Sequence, residues 1–431
     1  MTMGKTTRRE FIKKSGFTLV TVGLSGRAFM RHLAMAANST LTQAAALSEN
    51  DRTLVVIQLA GGNDGLNTVI PLSGQNASLY RQFRSTLEIP EEEILPIGTD
   101  AGGTGLGLHP SLAPLKELYD QGRMGVIQSV GYPNPNRSHF RSMDIWHTAN
   151  PDRPDATGWL GDYLDAAFPS NDNPLIAVSL AGGRLPLTLR AERIAVPAIG
   201  NVETYQFQTD PRFPGDAQNR IQTFLALNQE GAPQRVLYER IRETALEAFE
   251  SSVTLQQGIQ RYTPDPNITY SPNNPLARAI QQAAQIIAGE LGTKILYVSI
   301  GGFDTHQGQA NRHAQLLDNL ADAVNTFYRD MQRLGKDDRI LMMTWSEFGR
   351  KVRENGNQGT DHGASAPQFV FGTPINGGIF GEHPDLTDLS SVDDTKFTID
   401  FRSMYATILE RWLEVDASEL LGGSFELIPF L

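Results

Sequence analysis

KILYVSIGGFDTHQ, residues 294–307, carries the pattern that decides the fold. Ile295-Leu296-Tyr297-Val298 is a short apolar run that ends in Gly301-Gly302. Such a run with a glycine exit reads as a strand buried on both faces, the kind a parallel sheet needs. Just past the exit stand Asp304 and His306. Turn chemistry alone would account for an aspartate there. Open α/β sheets, however, bind ligands outside the carboxyl ends of their strands, and an aspartate and a histidine two residues apart suit that position.

The same pattern recurs along the chain. Leu54–Leu59 runs into Ala60-Gly61-Gly62-Asn63-Asp64-Gly65, Met124–Val130 into Gly131-Tyr132-Pro133, and Leu175–Leu180 into Ala181-Gly182-Gly183. Ile340–Trp345 runs into Ser346-Glu347-Phe348-Gly349, and Gln368–Gly372 comes late. Helical patterns lie between them. The clearest spans 310–334, where His313, Leu317, Leu320, Val324, Phe327, Met331 and Leu334 form one apolar stripe and Gly335 stands where a C-cap belongs. Strands alternating with helices predict a doubly wound α/β domain with a mostly parallel sheet. Residues 205–292 break the alternation with mostly helical signals and a Pro-rich loop at 262–275, which reads as a helical insertion packed on or over the sheet. Residues 401–413 read as a helix that closes a single domain over 46–431.

Composition narrows the chemistry. The 431 residues include no cysteine, so thiolate zinc sites, iron–sulfur clusters, disulfides and a cysteine nucleophile are all excluded. A net charge of −11 without a basic block in the body of the chain disfavours nucleic acid as a partner. At the N-terminus, Arg8-Arg9 precedes a modest apolar stretch from Gly16 to Gly26 and then Ala34-Met35-Ala36. Residues 1–45 therefore read as a twin-arginine export signal and linker, with the translocation machinery as a partner and a periplasmic or secreted destination. The apolar stretch is far short of the ~20 residues of a stable membrane span.

Four strand exits share one composition. Asp64 follows the first strand, Asp304 and His306 follow the opening run, and Glu347 follows Trp345. Asp361 and His362 precede the strand at 368–372. Singly each has a bland reading, as a turn or a helix start. Together they supply the carboxylate-rich set with imidazoles that divalent zinc, manganese, iron or calcium takes. In a parallel sheet these exits would meet. The expectation is one or two divalent ions, zinc first among them, held by Asp64, Asp304, His306, Glu347, Asp361 and His362.

Several stretches, taken together, resemble the family catalogued as domain of unknown function 1501. They are the leader, Gly62-Asn63-Asp64-Gly65-Leu66-Asn67-Thr68, Gly302-Phe303-Asp304-Thr305-His306, Thr344-Trp345-Ser346-Glu347-Phe348-Gly349-Arg350 and Thr360-Asp361-His362-Gly363. That family is grouped with the alkaline phosphatase and sulfatase superfamily. The resemblance implies an alkaline-phosphatase-like three-layer α/β sandwich with two metals at the strand ends. Asp64 matches the superfamily's early aspartate, Asp304 and His306 its later Asp and His, and His362 its last metal-binding histidine. Ser346-Glu347 departs from it, because the superfamily has Asp-His there. The superfamily also places a nucleophile at a helix N-terminus, which falls here on Ser138 in Asn136-Arg137-Ser138-His139-Phe140-Arg141. A serine there is equally a preferred N-cap. His139 reads as general acid, second-layer partner or ligand, and Arg141, like Arg137, as a clamp for an anion. The implied activity is metal-dependent hydrolysis of a phosphate or sulfate ester, on a small molecule or a polymer. The alternative is a non-catalytic binder on the same fold at the cell envelope.

Overall fold

In the computed structural model, which describes residues 51–152, 156–169, 173–210, 212–228 and 236–431, Thr53–Ala60 forms the first strand, β1. The export signal lies outside the described residues. Side chains along a strand alternate between faces. Val55, Ile57 and Leu59 accordingly enter one apolar cluster while Leu54 and Val56 enter another. Two buried faces require two covering layers, and helices supply both. Ala113–Asp120 (α1), Pro275–Ala288 (α6) and Gln309–Arg333 (α7) pack on the first face, and His139–Thr148 (α2), Trp159–Ala167 (α3) and Phe401–Thr407 (α8) on the second. The result is a three-layer α/β/α sandwich.

The other strands are β2 (Val69–Pro71), β3 (Leu95–Thr99), β4 (Gly105–Leu108), β5 (Met124–Gly131), β6 (Ala177–Ser179), β7 (Ile295–Gly301), β8 (Ile340–Trp345), β9 (Ala366–Phe371), β10 (Gly378–Phe380) and β11 (Ile399–Asp400). The central sheet has eight strands in the order β10-β5-β9-β8-β1-β7-β6, with β11 beside β5. Pairs β1–β7, β1–β8, β6–β7, β10–β5 and β11–β5 are parallel, whereas β9 runs antiparallel to both β5 and β8. This arrangement positions the site. The carboxyl ends of β1, β5, β7 and β8 share one edge, and reversal of β9 brings its amino end, with the loop before it, to the same edge. β2, β4 and β3 form a separate small antiparallel sheet that the apolar pattern did not announce.

The long helix α7 follows its predicted stripe. Leu317, Leu320, Val324, Phe327 and Met331 are buried. It ends in a Schellman arrangement, with Gly335 N–H donating to the Gln332 carbonyl and Lys336 N–H to that of Met331. The stretch 205–292 contains Ala217–Leu227 (α4), Val236–Ile259 (α5) and α6. Of these, α6 lies in the layer on the sheet, its Leu276, Ile280 and Ala283 fully buried. The C-terminal helix, expected over 401–413, is α-helical to Thr407 and continues as a π turn over Ile408–Trp412. Among the described residues no helix is long and apolar enough to cross a membrane.

Candidate metal centre

At the carboxyl edge, the exits of β1 and β7 nearly touch. A Cβ on Gly61, whose φ is +124°, would lie 2.8 Å from the Phe303 carbonyl carbon and nearer still to the Asp304 amide, so only glycine lets the two exits approach. Arg350 then clamps them. Its buried guanidinium donates to the carbonyls of Gly61, Gly62 (2.8 Å), Phe303 (2.9 Å) and Thr360 (2.8 Å), and to Asp304 Oδ1 (2.8 Å). One cation thus joins three segments and fixes one carboxylate oxygen. Ser346 adds a bracket, donating to the Leu59 carbonyl (2.7 Å) and accepting from Asn63 N–H (2.9 Å).

Around Asp304 three imidazoles converge. His362 Nε2 lies 3.0 Å and His306 Nε2 3.1 Å from Asp304 Oδ1, the two ring nitrogens 2.9 Å apart. His139 Nε2 lies 3.5 Å from Asp304 Oδ2. Ligand atoms of His139, Asp304 and His362 fall within 4.8 Å of one another. Each histidine is held from behind by an oxygen at Nδ1: His139 by Glu347 Oε1 (2.7 Å), His306 by Asp361 Oδ1 (3.2 Å) and His362 by the Arg137 carbonyl (2.8 Å). An oxygen at Nδ1 takes the N–H and leaves Nε2 as a bare acceptor in the neutral ring. Where all three rings are neutral, their Nε2 lone pairs face one carboxylate, an arrangement that a cation among them would relieve. Imidazoles anchored through the far nitrogen are the form in which proteins present histidine to a metal. The donor set of nitrogens and one carboxylate fits a borderline divalent ion such as zinc.

The electrostatics agree with this division of labour. Burial would raise the Asp304 pKa, but Arg350 and His362 hold the carboxyl down to about 2, so it is ionised. The Glu347 hydrogen bond raises the His139 pKa above its ordinary value against the opposing effect of burial. Glu347 is fully buried, and its Oε1 also accepts from Gly61 N–H (2.9 Å), while Oε2 has no hydrogen-bond partner among the described residues. If Glu347 acts by anchoring His139, Glu347→Gln will fold normally and bind zinc about 10–100-fold more weakly, the usual cost of losing an outer partner. Competition against a chelating dye measures this, and an unchanged affinity would remove Glu347 from the site.

The residues singled out in the sequence separate into distinct roles. Asp304, His306 and His362 meet. Glu347 and Asp361, expected as ligands, stand behind His139 and His306 instead, because each spends an oxygen on an Nδ1. Asp64, also expected as a ligand, is fully buried and gives both oxygens to Arg84, with Gln309 donating as well. Arg141 was expected to clamp an anion. Its Nη2 instead donates to the carbonyls of Pro151 and Asp152 beyond the end of α2, and Arg137 pairs with Asp394. Ser138 is the N-cap residue of α2, its carbonyl accepting from Ser142 N–H (2.9 Å), but its side chain makes no capping hydrogen bond and the residue is exposed. His109, His147, His313 and His383 are buried, and burial lowers all four, to about 4, 4, 3 and 4 respectively, as neutral packed rings. Sequence reasoning left His139 without a definite role and gave Arg350 none. The signal for Arg350 was its place in the exit Trp345-Ser346-Glu347-Phe348-Gly349-Arg350, where a cation follows a mostly apolar strand.

A family model described as a protein of unknown function, DUF1501, matches residues 98–423. No curated protein matches the chain. Among solved structures, one similar chain is a protein in the alkaline phosphatase superfamily from Vibrio parahaemolyticus, at 11% identity and a TM-score of 0.39, covering 87% of this chain and 69% of that one. Another is the zinc complex of the C-terminal periplasmic domain of EcEptC from Escherichia coli, at 10% identity and TM-score 0.33, covering 76% and 75%. A third is the alkaline phosphatase from the Antarctic bacterium TAB5, at 11% identity and TM-score 0.28, covering 74% and 92%. Likeness at this level carries no argument about the reaction.

Proposed function

We propose that this chain, which belongs to the DUF1501 family of proteins of unknown function, is an exported metal-dependent hydrolase of phosphate or sulfate esters. The observation that carries the reading is the convergence of three Nδ1-anchored imidazoles on Asp304. His139, Asp304 and His362 would hold a divalent ion, with His306 beside them. Such an ion supplies Lewis acidity and positive charge against the negative charge that develops on ester oxygens.

The chain's own residues supply the rest. Ser138 lies between Arg137, whose carbonyl anchors His362, and His139, so its backbone is fixed at both neighbours. Its amide donates to Asn136 Oδ1 (2.9 Å), and its hydroxyl is exposed and unspent on the helix. That makes Ser138 the nucleophile of this reading. Asp304 is open enough, with 46% of its side chain exposed, for an ester to reach the cluster. Export by the twin-arginine route rests on Arg8-Arg9 and the apolar stretch after them.

A screen of phosphomonoesters, phosphodiesters and sulfate esters with Zn²⁺, Mn²⁺ or Ca²⁺ tests the reading. Ser138→Ala is expected to bind metal like the parent protein and to lose turnover by a factor of about 100 or more, as when an attacking group is removed. Metal-dependent turnover in the parent that Ser138→Ala leaves intact would transfer the attack to water. Absence of turnover on every ester class would favour the binder.

A further inference from the structure

The second glycine of the opening motif has a partner that the catalytic reading does not use. Gly302 is exposed with φ +110°, and a Cβ there would lie 3.1 Å from Arg312 Cζ and 3.3 Å from its Nε. The Arg312 guanidinium, Nη2 foremost, therefore occupies the space beside the β7 exit that a side chain on Gly302 would fill. Gly302 is two residues before Asp304, a step of at most about 7 Å. Arg312 is exposed, and among the described residues its side chain has neither a hydrogen bond nor an ion pair. The nearby carboxylate Asp304 is already held by Arg350, and Asp361 by Asn355 and His306.

Local stability does not explain this placement. Arg312 is the fourth residue of α7, at the end of the helix where the macrodipole disfavours a cation. A chain of net charge −11 has acidic side chains to spare, yet none is paired with it. A residue placed against local preference at the mouth of a site is where function is expected. A guanidinium without a carboxylate partner keeps its donors for an anion, and a sulfate or phosphate oxygen pair matches its fork.

We infer that Arg312, seated on Gly302, is a subsite for a second anionic group of the substrate, so that the preferred ester carries another sulfate or phosphate near the one that reacts. The inference rests on the proposed hydrolase site and adds the substrate class to it. Arg312 is a specificity residue here and takes no part in bond breaking.

Equilibrium dialysis of the zinc-loaded protein with a monosulfated disaccharide and its disulfated counterpart tests it. The parent protein is expected to bind the disulfated ligand about tenfold more tightly, the worth of one charge-assisted hydrogen-bonded contact. Arg312→Gln should erase that preference without changing affinity for the monosulfated ligand, and Arg312→Lys should keep part of it. A preference that survives Arg312→Gln, a uniform loss for both ligands, or a parent without preference overturns the inference. Because the readout is binding, the two readings fail separately. Arg312-dependent selectivity without turnover of any ester sinks the hydrolase and leaves the subsite, and turnover without selectivity does the reverse.

Discussion

Asp304→Asn is expected to lose tight zinc binding, by more than about 100-fold, which exceeds the cost of losing an outer partner, and with it all metal-dependent ester turnover. Asp304 is the one carboxylate that all three Nε2 atoms face, so it is the negative charge that would balance an ion held among them. The substitution should leave the fold standing. Arg350 keeps its four carbonyl acceptors, those of Gly61, Gly62, Phe303 and Thr360, and the asparagine oxygen can still accept from it. Arg350 loses its carboxylate partner, but that partner is 46% exposed, so the stability lost by the metal-free protein, read by denaturant titration, should stay well below that lost by Asp64→Asn. Loss of stability as large as the loss of binding would make Asp304 a structural residue and its histidines an incidental cluster.

Asp64→Asn should do the opposite, costing about 3–5 kcal/mol of stability, the penalty for leaving a buried charge without its partner. Arg84 and Asp64 are both fully buried, and Arg84 also donates to the carbonyls of Val352 (2.6 Å) and Lys351 (2.9 Å). Asparagine would leave that guanidinium facing a neutral amide. Burial by itself would raise the Asp64 pKa, but the Arg84 charge and hydrogen bonds bring it below the ordinary 3.8. A carboxyl whose folded pKa is depressed contributes stability at every pH above its unfolded value, and that contribution is lost as pH falls through the folded one. The gap between parent and Asp64→Asn should thus be constant from about pH 5 to 8 and narrow only below 3.8. A gap that closes near neutral pH would assign the effect to another group.

The contrast between these two aspartates shows what the sequence could disclose. Both follow a buried strand and a glycine pair, and nothing in Gly61-Gly62-Asn63-Asp64 distinguishes it from Gly301-Gly302-Phe303-Asp304. What separates them is tertiary. Arg84 comes from a helix end twenty residues on, with no spacing rule to announce it, and closes over Asp64. The strands were legible because runs buried on both faces leave continuous apolar segments, and their glycine exits marked the edge where chemistry would gather. The antiparallel direction of β9 was not legible, since a run such as Phe369-Val370-Phe371 reads the same in either direction. Its reversal is nonetheless what delivers His362 to Asp304. His139 was harder still, because seven residues of loop separate it from the end of β5. Glu347 comes to stand behind it only in the folded chain, which turns the departure Ser346-Glu347 into a bracket and an anchor.

The central claim is that His139, Asp304 and His362 grip a cation. Anomalous diffraction from zinc-soaked crystals, collected on both sides of the zinc absorption edge, examines it most directly. The account predicts one strong edge-dependent peak within bonding distance of His139 Nε2, His362 Nε2 and an Asp304 oxygen, absent in Asp304→Asn. A map with no peak there, or with the three side chains turned apart around ordinary water, would contradict it.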